Sequence, residues 1–127
     1  EQHQITLQML FIAILSNTVT DCAYKQVGKP YIYGAAGPNS FDCSGLVQYC
    51  YKKAGISLPR VARDQCKTGK AISEQQAQPG DIVCFAQPEA SHVGIFLSVD
   101  KMIHAPHRND VVKTGAYKYW TKPKQTG

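Results

Sequence analysis

The stretch from Ser40 to Gly55, SFDCSGLVQYCYKKAG, constrains the fold more than any other part of the chain. Its apolar residues Cys43, Leu46, Val47, Cys50, Tyr51 and Ala54 fall at i, i+3, i+4, i+7, i+8 and i+11, the spacing of one face of an α-helix. A helix patterned this way is expected to bury that face. Asp42 stands where an N-cap belongs, and Gly55 stands where a left-handed residue ends a helix, so the boundaries agree with the period. Cys43 then lies in the first turn. There the orphan backbone N–H groups and the positive end of the helix dipole favour a thiolate, lowering a thiol pKa from about 8.5 towards roughly 3.5–7.5. Cys50, two turns along the same stripe, reads as a small core hydrophobe. For Cys43 the position allows both a reactive thiol and a buried structural one.

The rest of the chain divides into helices first and strands later. Met9–Leu15 is a short apolar run, far below the roughly 18 residues needed to span a bilayer. It is open to two readings, the apolar part of a signal peptide or a packed first element; the residues before it, Glu1-Gln2-His3-Gln4, carry no Lys or Arg. Met9 is also the first methionine, so residues 1–8 are open to being an addition ahead of a natural start. Ser16 or Asn17 is expected to cap a helix that runs to about Val27, with Gly28 as its stop and Pro30 beyond. Tyr31–Tyr33 reads as a short extended piece, 34–40 as a loop, Ile56–Pro59 as a connector and Arg60–Thr68 as a short helix. Asp81–Phe85, Ser91–Val99, Met102–Ala105 and Val111–Thr114 read as strands. They are too closely spaced for crossover helices, which predicts an α+β domain with an antiparallel sheet.

Composition excludes more than it identifies. A chain of 127 residues forms one domain, and fourteen Lys and Arg against nine Asp and Glu give a net charge of +5 without any basic tract. Nucleic acid is therefore not an expected partner, whereas an anionic polymer or surface is compatible with the charge. The five cysteines, at 22, 43, 50, 66 and 84, contain no C-x-x-C pair, which argues against a zinc ribbon or a thioredoxin-type motif. An odd count leaves at least one thiol unpaired, and the compartment stays open.

The strands carry the histidines. In Ser91-His92-Val93-Gly94-Ile95-Phe96-Leu97 the period of two sets His92, Gly94 and Phe96 on one face. A three-residue loop at Ser98–Asp100, with Asp100 left-handed, would pair Leu97 with Lys101 and place His104 opposite Gly94, diagonal to His92 on the same face. A four-residue loop would reverse the parity. A thiol nucleophile needs a base within hydrogen-bond reach and a third group to orient that base; Cys43, His92 and His104 can fill those roles in that order. His3 and His107 read as surface histidines, and for Asp42, Ser44 and Tyr31 the plain structural readings are an N-cap, a first-turn residue and a core residue. A zinc site at His92, His104 and His107 lacks both a helical H-E-x-x-H and a well-spaced acidic ligand, so no metal or other cofactor is expected.

The segments Gly28-Lys29-Pro30-Tyr31-Ile32-Tyr33-Gly34, Phe41-Asp42-Cys43-Ser44-Gly45-Leu46-Val47, Gln78-Pro79-Gly80-Asp81-Ile82-Val83, Ser91-His92-Val93-Gly94-Ile95-Phe96 and Met102-Ile103-His104-Ala105-Pro106 resemble, in order, the motifs of the NlpC family of papain-like cell-wall endopeptidases. The resemblance runs from about Val19 to Val112. It implies a papain-like minimal α+β fold, with N-terminal helices packed on an antiparallel sheet. It also implies a secreted or wall-associated cysteine peptidase that cuts stem peptides of bacterial peptidoglycan, most often between γ-D-glutamate and the following diamino acid. The family's nucleophile falls on Cys43, its base on His92, its orienting residue on His104 and its tyrosine near the nucleophile on Tyr31. Asp42, Ser44 and Ser91 match positions lining the subsite for the L-alanine end of the substrate. Where the family commonly repeats glycine, this chain has Ala35-Ala36. Residues 1–15 are then expected to be an N-terminal extension and 16–127 a single catalytic domain, monomeric and without an integral membrane segment. Two other functions compete: thiol-dependent acyl transfer or amide cleavage on another substrate, and a catalytically silent wall-binding domain.

Overall fold

The computed structural model describes residues 7–86, 90–118 and 120. His3 and the other residues before Leu7 lie outside the described residues. The first element corrects the sequence-based expectation. Met9–Leu15 and the helix expected to begin at Ser16 or Asn17 are one unbroken helix, α1, spanning Leu7–Gln26. The reason is local. A serine or asparagine caps only where the chain before it leaves helical geometry, and no Gly or Pro interrupts the Leu, Met and Ala-containing run ahead of it. The helix ends as expected, with Gly28 at φ +94°. No described helix is long and apolar enough to cross a membrane.

The second helix, α2, spans Cys43–Lys53 and is capped by Asp42, whose carboxylate accepts from the Gly45 N–H at 2.7 Å. Leu46, Val47 and Cys50 are fully buried against Val19, Cys22 and Ala23 of α1, whereas Cys43, Tyr51 and Ala54 on the expected stripe are only half-buried. Gly45 has a packing reason: a Cβ there would run into the carbonyl oxygen of Ala35, so the loop from 34 to 36 can lie against the first turn of α2 only if no side chain intervenes. That loop is engaged through its backbone, with Asp42 N–H donating to the Ala35 carbonyl at 2.8 Å. The side chain of Ala35 takes no part in that bond.

A short helix α3 (Ala62–Gln65) follows, and then a four-stranded sheet, β1 (Ile82–Phe85), β2 (His92–Ser98), β3 (Lys101–His104) and β4 (Lys113–Gly115), antiparallel and in sequential order. The expected α+β class and antiparallel sheet hold, with strand ends shifted by one or two residues. The β2–β3 loop differs in detail. Ser98, not Leu97, pairs with Lys101 across a two-residue loop with Asp100 at φ +61°, and Leu97 is taken up as a bulge. The bulge restores the register, so Ile95 faces Ile103 and Phe96 faces Met102, as the longer loop would have set them. A disulfide joins Cys66, just after α3, to Cys84 of β1, while Cys22, Cys43 and Cys50 are outside it and form no disulfide.

Candidate active site

Helix α2 packs against β2, so the helix that begins at Cys43 lies on the strand that begins at His92. Cys43 is half-buried and borders the same core cluster that Val93 enters from β2. On the sheet, Nε2 of His92 lies 2.8 Å from Nδ1 of His104, and the two residues are 0% and 2% exposed. Gly94 leaves space for this pair: a Cβ there would stand 3.3 Å from the Cβ of His104 and 2.8 Å from the Met102 sulfur. Burial, and then the charge of Lys113, lower the His104 pKa from 6.5 to about 4, so this imidazole is neutral near pH 7. A neutral His104 with its proton on Nε2 accepts through Nδ1 from the Nε2–H of His92. In that tautomer Nδ1 of His92 carries the lone pair that can take a thiol proton.

His107 is not part of this pair. It turns to Asp110 at 3.4 Å and to the Arg108 carbonyl at 2.8 Å, and among the described residues no three His, Cys, Asp or Glu side chains are gathered as a metal would require.

The remaining candidates surround the start of α2. Tyr31 is buried, bridges to Phe41, and has its phenol pushed up to about 12 by burial and then by the charges of Cys43 and Asp42. Its hydroxyl is therefore a permanent donor close enough to Cys43 to feel its charge. Asp42 is almost fully engaged: Oδ1 accepts from Gly45 N–H, Ser44 Oγ at 3.3 Å and Arg60 Nη1 at 3.1 Å, and Oδ2 accepts from Gly34 N–H and Arg60 Nη2, both at 2.9 Å. Ser44 Oγ accepts from Arg60 Nη1 at 2.8 Å. Ser91 is exposed, just ahead of β2.

Two residues of this neighbourhood were not singled out from the sequence. Arg60 bridges Asp42 and Ser44 from 18 and 16 residues away, and nothing in the pattern around Pro59-Arg60 marks it. Trp120 lies flat on the His92 ring, with centroids 4.0 Å apart and planes within 12°. Its one signal was that it is the single tryptophan of the chain. A separate cavity of about 640 Å³, lined by Tyr51, Leu58, Gln65, Cys66, Ile82 and Cys84 among others, includes none of Cys43, His92 and His104.

A family model, the NlpC/P60 family, matches residues 28–126. The chain belongs to the NlpC/P60 family. Among relatives, it is 49% identical over 84 residues to a probable endopeptidase p60 of Listeria monocytogenes, covering 65% of this chain and 17% of that protein. It is 41% identical over 93 residues to a probable endopeptidase of Corynebacterium glutamicum, covering 73% of this chain and 44% of that protein. The NlpC/P60 chain thus spans less than half the length of either relative. Among solved structures, the NlpC/p60 domain of the peptidoglycan hydrolase SagA superposes with a TM-score of 0.77 at 34% identity, over 83% of this chain and 92% of that one. NlpC1 from Trichomonas vaginalis gives 0.76 at 31%, over 85% and 41%. The α+β arrangement of this chain is that of NlpC/P60 domains.

Proposed function

We propose that this NlpC/P60 domain is a cysteine endopeptidase that hydrolyses peptidoglycan stem peptides, at the amide between γ-D-glutamate and the following diamino acid. The observation that carries the mechanism is the buried 2.8 Å contact between His104 of β3 and His92 of β2, the strand against which the Cys43 helix packs. His92 Nδ1 takes the Cys43 thiol proton, and the thiolate attacks the amide carbonyl carbon. The oxyanion that forms is held by backbone N–H groups at the start of α2, where the helix dipole adds to their effect. His92 returns the proton to the departing amine, leaving a thioester on Cys43. Water, deprotonated by His92, then releases the acid and restores the thiol. His104 keeps His92 in the tautomer and orientation these transfers require. Tyr31 supplies a neutral hydroxyl beside the thiol. Asp42 and Ser44, held by Arg60, together with Ser91, line the subsite for the L-alanine end of the peptide.

The reading places the protein outside the cytoplasm or at the wall, acting as a monomer. It is supported by the named activities of the relatives and by the Cys66–Cys84 disulfide, a bond that persists in oxidising compartments. The test is digestion of purified muropeptides with product masses read by mass spectrometry, wild type against Cys43→Ala. L-Ala-γ-D-Glu and a shortened remnant from the wild type alone are expected. No cleavage, with Cys43 still rapidly alkylated, would overturn the substrate assignment; a Cys43 inert to alkylation near neutral pH would overturn the peptidase reading itself.

A further inference from the structure

We propose that Trp120 is a positioning residue whose π-face favours the protonated form of His92, giving the base the electrostatic support that a neutral third residue cannot. The inference rests on the reading of His92 as the base for Cys43. When His92 accepts the thiol proton it becomes an imidazolium. The partner of its Nε2 is another imidazole, which accepts the hydrogen bond but brings no countercharge. The rings around the pair are aromatic. Trp120 lies on His92 at 4.0 Å and 12°, meets His104 edge-on at 5.7 Å and 79°, and touches Phe85 at 5.2 Å. Phe85, opposite His92 in the β1–β2 register, lies 5.4 Å from its ring.

The thiolate that the same transfer leaves on Cys43 is a countercharge on the Nδ1 side of His92; the other charged and titratable groups leave the support of its ring face to the indole. Cys43 comes from α2 and His104 from β3. Behind His104 stand Lys113 of β4, and Asp110 and His107 of the loop between β3 and β4. Asp110 is engaged with Lys113 at 2.8 Å and with His107 at 3.4 Å. On the Cys43 side Asp42 is paired with Arg60, and Tyr31 is a neutral phenol at neutral pH. The face of an aromatic ring is the negative end of its quadrupole, tryptophan being the strongest case, and its attraction for a cation grows as water is excluded. His92 is 0% exposed, so water does not screen the contact. The turn that carries the indole is tied down: the backbone N–H of Trp120 donates to the Tyr117 carbonyl at 3.3 Å, the backbone N–H of Lys118 to Asp100 at 2.9 Å, and the Tyr117 hydroxyl to Glu74 at 2.9 Å.

Because the chain has a single tryptophan, biosynthetic incorporation of mono-, di- and trifluorotryptophan alters this indole alone, drawing electron density off its face with little change of shape. The experiment follows the titration of His92 by NMR in protein carrying ¹⁵N-labelled histidine, with the signal assigned by His92→Gln. The His92 protonation constant is expected to fall stepwise with each fluorine. Trp120→Leu should lower it about 2- to 30-fold, and Trp120→Phe less. Alkylation of Cys43 at pH 7 should slow in the same order. A His92 midpoint that stays constant across the fluorinated series, moving only in Trp120→Leu, would make the indole a spacer and overturn the proposal. The readout needs no substrate, so a failure to cleave muropeptides would count against the proposed function and not against this one.

Discussion

Nε2 of His92 and Nδ1 of His104 lie 2.8 Å apart across two antiparallel strands, both rings shut away from solvent. If His104 serves to orient, its loss should hurt less than loss of the nucleophile. Removing an orienting residue costs up to about ten-thousandfold in serine enzymes, and because a thiol is more acidic than a serine hydroxyl we expect His104→Ala to lower kcat by less, about 100- to 1000-fold. Steady-state hydrolysis by His104→Ala and Cys43→Ala, measured side by side, decides the matter. Equal inactivity would sink the orienting role.

The same imidazole makes stability depend on pH. Burial lowers the folded pKa of His104 from 6.5 to about 4. Above the unfolded value neither state is protonated and the group contributes nothing to the slope. As pH falls from 6.5 to 4 the unfolded chain takes up a proton that the folded one refuses, and stability drops by up to about 3 kcal/mol. Urea unfolding at pH 7.5 and 4.5 should show this loss in the wild type and a smaller one in His104→Gln.

Arg60 binds Asp42 with both guanidinium nitrogens, at 3.1 and 2.9 Å, and Ser44 with one. Its side chain is 35% exposed, so solvent screens the ion pair and Arg60→Ala should cost only about 1 kcal/mol in stability. Its larger effect is expected in KM, because both oxygens of Asp42 and the Ser44 hydroxyl lose their anchor. Arg60→Lys keeps the charge without the planar fork and should fall between the two. A change in kcat alone would argue against the subsite reading.

The Cys66–Cys84 bond ties the segment carrying Arg60 and Gln65 to β1, closing a loop across 18 positions. Gln65 in turn donates to the Ser44 and Pro59 carbonyls, each at 2.9 Å. Replacing both cysteines with serine should destabilise the fold by about 3 kcal/mol. Thermal unfolding should show the wild type falling to the variant's midpoint when dithiothreitol is added, and the variant unmoved.

Gly45→Ala would set a Cβ against the Ala35 carbonyl, a backbone atom that cannot swing aside. About 2–3 kcal/mol of stability should be lost. The displaced first turn should also slow alkylation of Cys43. Gly55→Ala is the control: its Cβ would meet nothing within 4 Å, and only the strain of φ +83° is added, at a cost of about 1 kcal/mol.

The sequence-based expectations succeeded where the physics is local. Residues three or four apart share a helix face and residues two apart share a strand face, so the bounds of α2 and the shared face of His92, Gly94 and Phe96 could be read directly. The β2–β3 register is the one a three-residue loop would set, although the loop has two residues, because the bulge at Leu97 offsets the shorter turn. The break expected near Ser16 failed because a capping residue is a signal only where the helix before it stops, and here it does not.

By itself, then, the sequence determined the α+β class, the capped helix with Cys43 at its start, and the shared strand face of His92, Gly94 and Phe96. Each rests on dihedral preferences and periodicities spanning a few residues. The bulge at Leu97 decided that His104 joins that face. Only the tertiary structure decided that Arg60 would reach Asp42 and Ser44, that Cys66 would find Cys84 among the five cysteines, and that Trp120 would lie on His92. These contacts join positions 16 to 28 residues apart. No local period encodes such contacts; they exist because burying α2 against the sheet sets where the chain returns.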